Sequence, residues 1–167
     1  MSPERPVIRD LERSGVDVTL EVLAFLGVIF LVGIATYYYP RLPASIPQHF
    51  DFRGDPDGWG GKSVLLIMPI LGVLLFTLLS VLSRFPHMFN YPWPITENNA
   101  RRQYAISRQM LSAVKLVLVA TFSYITWSII STALGMGNGL GLSFMMIETP
   151  LLVIIIGFYL FKAKRAQ

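Results

Sequence analysis

Four long apolar stretches leave this chain few ways to fold. They run from Thr19 to Tyr39, Val64 to Ser83, Leu111 to Leu134 and Leu140 to Phe161. A helix needs roughly 20 such residues to cross a bilayer, and backbone groups in lipid must find partners within their own segment. Only 14% of the residues are charged and 53% are hydrophobic, whereas soluble domains carry about 25% charge. The expectation is an all-α membrane protein with four transmembrane helices and an ordered extracytoplasmic cap loop between helices 1 and 2. One domain then covers 1–167: a cytoplasmic leader (1–18), first span (19–39), outer cap loop (40–63) and second span (64–83). A cytoplasmic loop and helix (84–110), third span (111–134), fourth span (140–161) and cytoplasmic tail (162–167) complete it.

A cleavable signal peptide fits the first run poorly. The run is longer than a signal core, lacks a small-x-small site before Tyr37-Tyr38-Tyr39, and follows a leader containing acids. The chain has no cysteine, which excludes disulfides and thiolate metal sites. Its net charge of +4 follows from topology rather than from nucleic-acid binding. Arg5, Arg9, Arg13, Arg84, Arg101, Arg102, Arg108, Lys162, Lys164 and Arg165 fall on one side of the spans, and only Arg41, Arg53 and Lys62 on the other. The positive-inside rule then places both termini in the cytoplasm. The lipid bilayer is the expected partner, and no cofactor is expected.

Val7, Ile8, Leu11 and Val18 space the leader either as a helix on the inner surface or as a loosely ordered charged terminus. Three prolines between Pro86 and Pro94 rule out a helix there, and the aromatics around them read as interfacial anchors. Thr96 can cap a helix from Glu97, giving one rod to Leu134, on the order of 57 Å long. Arg101, Arg102 and Arg108 read as positive-inside charge near headgroups, with docking of a cytoplasmic partner as the sharper reading. Gly27, Gly33, Gly72 and Gly157 form no strict GxxxG pair.

Most of the candidate chemistry lies between Leu42 and Lys62. His49, Asp51, Asp55 and Asp57 suggest a divalent metal, but their spacing fits no standard ligand pattern. Asp55-Pro56-Asp57-Gly58 resembles the start of a calcium loop, but Trp59 stands at the next ligand position. A lone histidine makes no hydrolytic triad. The preferred reading is a folded cap: Pro43 and Pro47 favour extended chain, Asp55 to Gly58 a turn. His49, Asp57 and Lys62 are expected to latch it, so that His49→Ala or Asp57→Ala destabilises the protein.

Glu21, Lys115 and Glu148 are the ionisable residues within apolar runs, and such residues are functional candidates in lipid. Glu21 and Lys115 lie near one face of the membrane, level enough to pair or snorkel. Glu148 lies roughly 12 Å deep by helical rise. It reads either as a proton- or ligand-responsive site or as a neutral carboxyl bonded to Thr121, Ser123 or Thr126. Pro150 should loosen the helix near residue 146.

Leu42-Pro43, Ile46-Pro47, His49-Phe50, Gly54, Asp57, Trp59 and Lys62 resemble the signature of the uncharacterised membrane domain at the N-terminal end of SdpI-type toxin-immunity proteins. The run from Phe89 to Tyr104 is similar to a stretch in shorter members of that group. Asp51 stands where the family more often has Asn, and the additional C-terminal membrane region of the best-known member is not expected within residues 1–167. The resemblance implies a multi-pass protein of the bacterial cytoplasmic membrane. It implies recognition, immunity or signalling without catalysis, with the cap binding a peptide or envelope partner. The other expectation is an accessory subunit of a larger respiratory, photosynthetic or transport complex.

Overall fold

The computed structural model describes residues 5–8 and 10–167. Its helices are α1 (Gly15–Tyr38), α2 (Ile67–Leu82), α3 (Ala100–Ala133) and α4 (Leu142–Lys164). With their flanking turns, all four are long and apolar enough to cross a membrane. Helix α1 starts earlier than hydropathy suggests because Ser14 and Asp17 form a capping box. The Asp17 amide donates to Ser14 Oγ at 3.2 Å and the Ser14 amide to Asp17 Oδ2 at 2.7 Å, satisfying otherwise orphaned first-turn donors. Helix α3 is one unbroken rod of 34 residues, about 51 Å long. It begins at Ala100 rather than Glu97. Asn99 takes the N-cap position, its Oδ1 accepting from the Thr96 amide at 2.9 Å, so Thr96 is not the cap.

Contacts fix the directions of the helices. Asp17 meets Arg108, Glu21 meets Lys115 and Tyr38 meets Trp127, so α1 and α3 run parallel. Glu21 also accepts from Ser80 at 3.1 Å, and a Cβ on Gly72 would strike Leu31, so α2 runs antiparallel to α1. Gln103 donates to Ala163 O at 2.8 Å and Thr121 donates to Glu148, so α4 descends along α3. The result is an up-down-up-down bundle in which the described leader from Arg5 and the C-terminal residues lie at one end. Pro150 lies inside α4, which continues through it although Pro150 has no amide for the Met146 carbonyl.

At the termini end the leader is neither helical nor loose over its described residues up to Ser14, the N-cap of α1. Ile8 and Leu11 pack with Tyr91 and Trp93 around Ile95, Ala100 and Tyr104. Trp93 Nε1 donates to Gln103 at 2.9 Å, and Tyr91 accepts from Ser107 at 2.9 Å. These rings hold the loop to α3 instead of simply facing an interface. Burial pushes the Tyr91 phenol up to about 12, the Ser107 bond offsetting only part of the shift. Arg9 and residues 1–4 of the leader lie outside the described residues.

The all-α expectation fails between α1 and α2. Strands β1 (Ser45–Phe50) and β2 (Pro56–Gly61) form an antiparallel hairpin, with Ser45 opposite Gly61 and Phe50 opposite Pro56. Hydropathy could not find them because their period is broken by glycine, proline and an irregularity in the register around His49.

Candidate functional site

The hairpin is built from the signature residues outward. Leu42, Ile46 and Pro47 are buried and Phe50 is half-buried. Leu42 and Ile46 form one cluster with Ala35 of α1, Leu65 before α2, and Ile129 and Ile130 of α3. Burial of an aliphatic side chain contributes about 1.5–3 kcal/mol, so these side chains anchor the hairpin to three helix ends. Lys62 continues the ladder, its amide donating to Ala44 O at 3.1 Å. Its ammonium reaches Tyr39 O at 3.4 Å and lies 5.0 Å from the Tyr39 ring centroid. Pro43 is exposed.

The turn runs from Asp51 to Asp55, beginning four residues earlier than Asp55-Pro56-Asp57-Gly58 suggests, because Asp51 organises it. Asp51 Oδ1 accepts from the amides of Arg53 at 2.8 Å and Asp55 at 2.9 Å, the side-chain turn that favours Asp and Asn alike. Pro56 opens β2, where a missing amide is tolerated. Gly54 has a φ of +84° and is buried. A Cβ there would lie 2.6 Å from Gly141 N, and one on Gly139 would strike Gly54 O. Leu140 N donates to Gly54 O at 2.8 Å. The tip of the hairpin is thereby docked, backbone to backbone, on the α3–α4 loop. The sequence signal for this dock is the glycine run from Gly135 to Gly141, which by itself indicates a turn and not a partner.

His49 Nδ1 and Asp57 Oδ1 lie 2.5 Å apart, but their side chains are 74% and 47% exposed. Asp51 spends its carboxylate on the turn, so it does not converge with them. Among the described residues no three His, Asp or Glu side chains gather as metal ligands. Phe52 is 82% and Trp59 54% exposed on this otherwise anchored element.

The intramembrane charges form a separate arrangement at the termini end. Asp17 and Glu21 share one face of α1, and Arg108, Ser112 and Lys115 share one face of α3. Lys115 Nζ lies 2.5 Å from Glu21 Oε2 and 2.9 Å from Ser80 Oγ. Arg108 lies 3.3 Å from Asp17 Oδ2 and donates to the carbonyls of Leu11 and Glu12. Arg108 is therefore buried and committed to the leader, not displayed for docking; Arg101 and Arg102 are exposed, and Arg101 donates to Asp10 O at 3.2 Å. Asp17 was missed as an ion-pair partner, although the Ser14-x-x-Asp17 box moves it inside the helix. Glu148 accepts a hydrogen bond from Thr121 and stands apart from this ladder.

Comparison with known proteins brings the hairpin forward. Residues 26–73 match a domain of unknown function, DUF1648. The match spans the hairpin with the adjoining parts of α1 and α2, and leaves out α3 and α4. An uncharacterized protein of Archaeoglobus fulgidus is 27% identical over 117 residues, which are 62% of this chain and 62% of that protein. The chain thus spans less than two thirds of that relative's length. No solved structure matches.

Proposed function

We propose that this is a non-catalytic membrane recognition protein whose hairpin binds a peptide or envelope partner outside the cytoplasmic membrane. The observation that carries this reading is the division of the hairpin. Leu42, Ile46 and Pro47 fasten it to the bundle, while Phe52 and Trp59 remain exposed. Aromatic side chains held on a rigid support make effective contacts at little entropic cost. The helix–hairpin–helix extent of the DUF1648 match supports the same unit. The signature's resemblance to SdpI-type proteins favours an immunity or signalling role in a bacterial membrane. The excess of Lys and Arg at the termini end supports cytoplasmic termini.

Two measurements test the reading. The chain is cysteine-free, so Phe52→Cys and Gln167→Cys report sidedness to a membrane-impermeant maleimide in intact cells. Labelling at 52 with protection at 167 is expected; the reverse pattern overturns the orientation. Deletion should sensitise cells to a secreted membrane-active peptide, and Phe52→Ser with Trp59→Ser should fail to restore protection. Full protection by that double variant would remove the hairpin from the function.

A second reading, an accessory subunit of a larger membrane complex, rests on α4. It packs along α3 and leaves Met146, Ile147, Val153, Ile154 and Phe158 exposed. A stoichiometric large partner retained in mild detergent and lost on Val153→Ser with Phe158→Ser would favour it.

A further inference from the structure

Three hollows are lined in part by Tyr124, and their chemistry changes along the bundle. Between α1 and α3 runs an open groove of about 770 Å³, lined by Leu26, Phe30, Ile34, Tyr38, Ala120 and Trp127 among others. A smaller one, about 330 Å³, lies between α3 and α4 beside Glu148. At the hairpin end a third, about 550 Å³, is lined by Arg53, Asp55, Asn138, Ser143 and the backbone of 139–142. Tyr124 lines all three. Its ring stacks on Phe144 at 4.5 Å and its hydroxyl donates to Leu140 O at 2.8 Å.

The third hollow carries charges of both signs. Arg53 and Asp55 are two residues apart in the hairpin turn, yet their side chains make no ion pair with each other or with any other described residue. The turn uses their backbone amides instead. The groove below offers almost nothing but hydrocarbon and aromatic surface. From Leu26 to Tyr38 it extends about 18 Å by helical rise, comparable to the roughly 15 Å that one leaflet contributes to the hydrocarbon core.

We propose that the cleft and the α1–α3 groove form one seat for a zwitterionic phospholipid of the phosphatidylethanolamine type, with its phosphate on Arg53, its ammonium on Asp55 and an acyl chain along the groove. An apolar groove alone would accept any acyl chain. The unpaired opposite charges select the headgroup, because each offers a charge-assisted hydrogen bond to one half of it. Phosphatidylglycerol satisfies Arg53 with the same phosphate but offers Asp55 only neutral hydroxyls; a choline headgroup has no N–H to give that carboxylate. The seat is distinct from the solvent-facing surface around Phe52 and Trp59, and it stands whether or not the hairpin has a peptide partner. Filled, it would brace the junction between the hairpin turn and the α3–α4 loop from the membrane side.

The test is native mass spectrometry on the full chain, delipidated in mild detergent and titrated with phosphatidylethanolamine, phosphatidylglycerol or phosphatidylcholine of identical chains. One molecule of phosphatidylethanolamine should be retained, with about five-fold preference over either competitor, close to 1 kcal/mol. Asp55→Asn should abolish that preference and Arg53→Gln should weaken retention of all three lipids through their shared phosphate; both positions are exposed, so neither change should alter the melting temperature. Ala120→Phe, at an exposed groove position, should reduce retention of all three lipids. Equal retention of the three by the unmodified protein, preference surviving Asp55→Asn, or retention unchanged by Arg53→Gln overturns the headgroup assignment. Retention unchanged by Ala120→Phe overturns the groove, as does finding it covered by a partner helix instead.

Discussion

Two side-chain contacts in this molecule have the same 2.5 Å separation and opposite surroundings. His49 and Asp57 meet on the hairpin with side chains 74% and 47% exposed; Lys115 and Glu21 meet between helices with side chains 0% and 30% exposed. Distance therefore says nothing about their worth. In water the hairpin pair gains little, because hydration competes with the contact; exposed pairs contribute about 0–1 kcal/mol. Between helices the alternative to pairing is a charge in a low-dielectric medium. There the pair holds the helices in register less by attraction than by the cost of parting. The bundle's register belongs to the buried ladder, and the hairpin's attachment belongs to Ile46, Pro47 and the glycine dock.

The largest predicted effect breaks the buried pair from one side. Glu21→Gln leaves the Lys115 ammonium with Ser80 and an amide in place of a carboxylate. It should cost about 3–5 kcal/mol, the usual penalty for orphaning a buried charge, read as denaturant unfolding in detergent. Replacing both partners, Glu21→Leu with Lys115→Met, should recover most of the loss, because apolar substitutes of similar volume carry no desolvation cost. A loss under about 1 kcal/mol in the single variant would place this pair with the exposed one and dissolve the contrast.

The glycine dock comes next. Gly54→Val must adopt φ of +84° with a side chain that also meets Gly141. The strain and lost docking together should cost about 2 kcal/mol. The loss should appear first as faster protease cleavage near Asp55, since the hairpin is released before the bundle opens. Gly33→Ala is the matching control: its Cβ meets nothing within 4 Å, and alanine suits a helix better than glycine. Equal effects of the two variants would show that the hairpin tip is not docked through Gly54.

What could be read from the sequence follows from the range of the forces involved. The four spans were legible because hydropathy is local and summed over many residues. The turn-forming prolines and the level placement of Glu21 and Lys115 were legible for the same reason. Residues 45–61 gave no alternating pattern, since β2 is Pro-Asp-Gly-Trp-Gly-Gly, so the hairpin could be expected only as an ordered loop. The role of Arg108 was hidden by distance: its partners Leu11, Glu12 and Asp17 lie over 90 residues away. A charge count cannot distinguish a buried arginine from a displayed one. The meeting of Gly54 with Gly139 and Gly141 is equally non-local.

Glu148 tests whether depth alone makes a charge matter. Its carboxyl is bonded to Thr121, whose single hydroxyl hydrogen it shares with Val117 O, 2.9 Å from Thr121 Oγ1. Thr121→Val removes the donor and should cost about 1 kcal/mol. Glu148→Gln keeps an acceptor for it and should leave stability unchanged. A large loss for Glu148→Gln would mean that the carboxylate itself, rather than its oxygen, holds α4 against α3.

The smallest effect belongs to the exposed pair. His49→Ala or Asp57→Ala should shift stability by no more than about 1 kcal/mol, because the hairpin stays anchored by Leu42, Ile46 and Pro47 when either is removed. The sequence alone would make His49, Asp57 and Lys62 one latch; solvent exposure separates Lys62, half-buried over Tyr39, from the other two. Lys62→Ala should therefore cost more than His49→Ala, and unfolding of the three single variants in one detergent decides the order. If His49→Ala proves the costlier, the pair is shielded by a lipid or partner that covers the hairpin and stays bound in detergent. Its surface would then have to be reassigned from free to occupied.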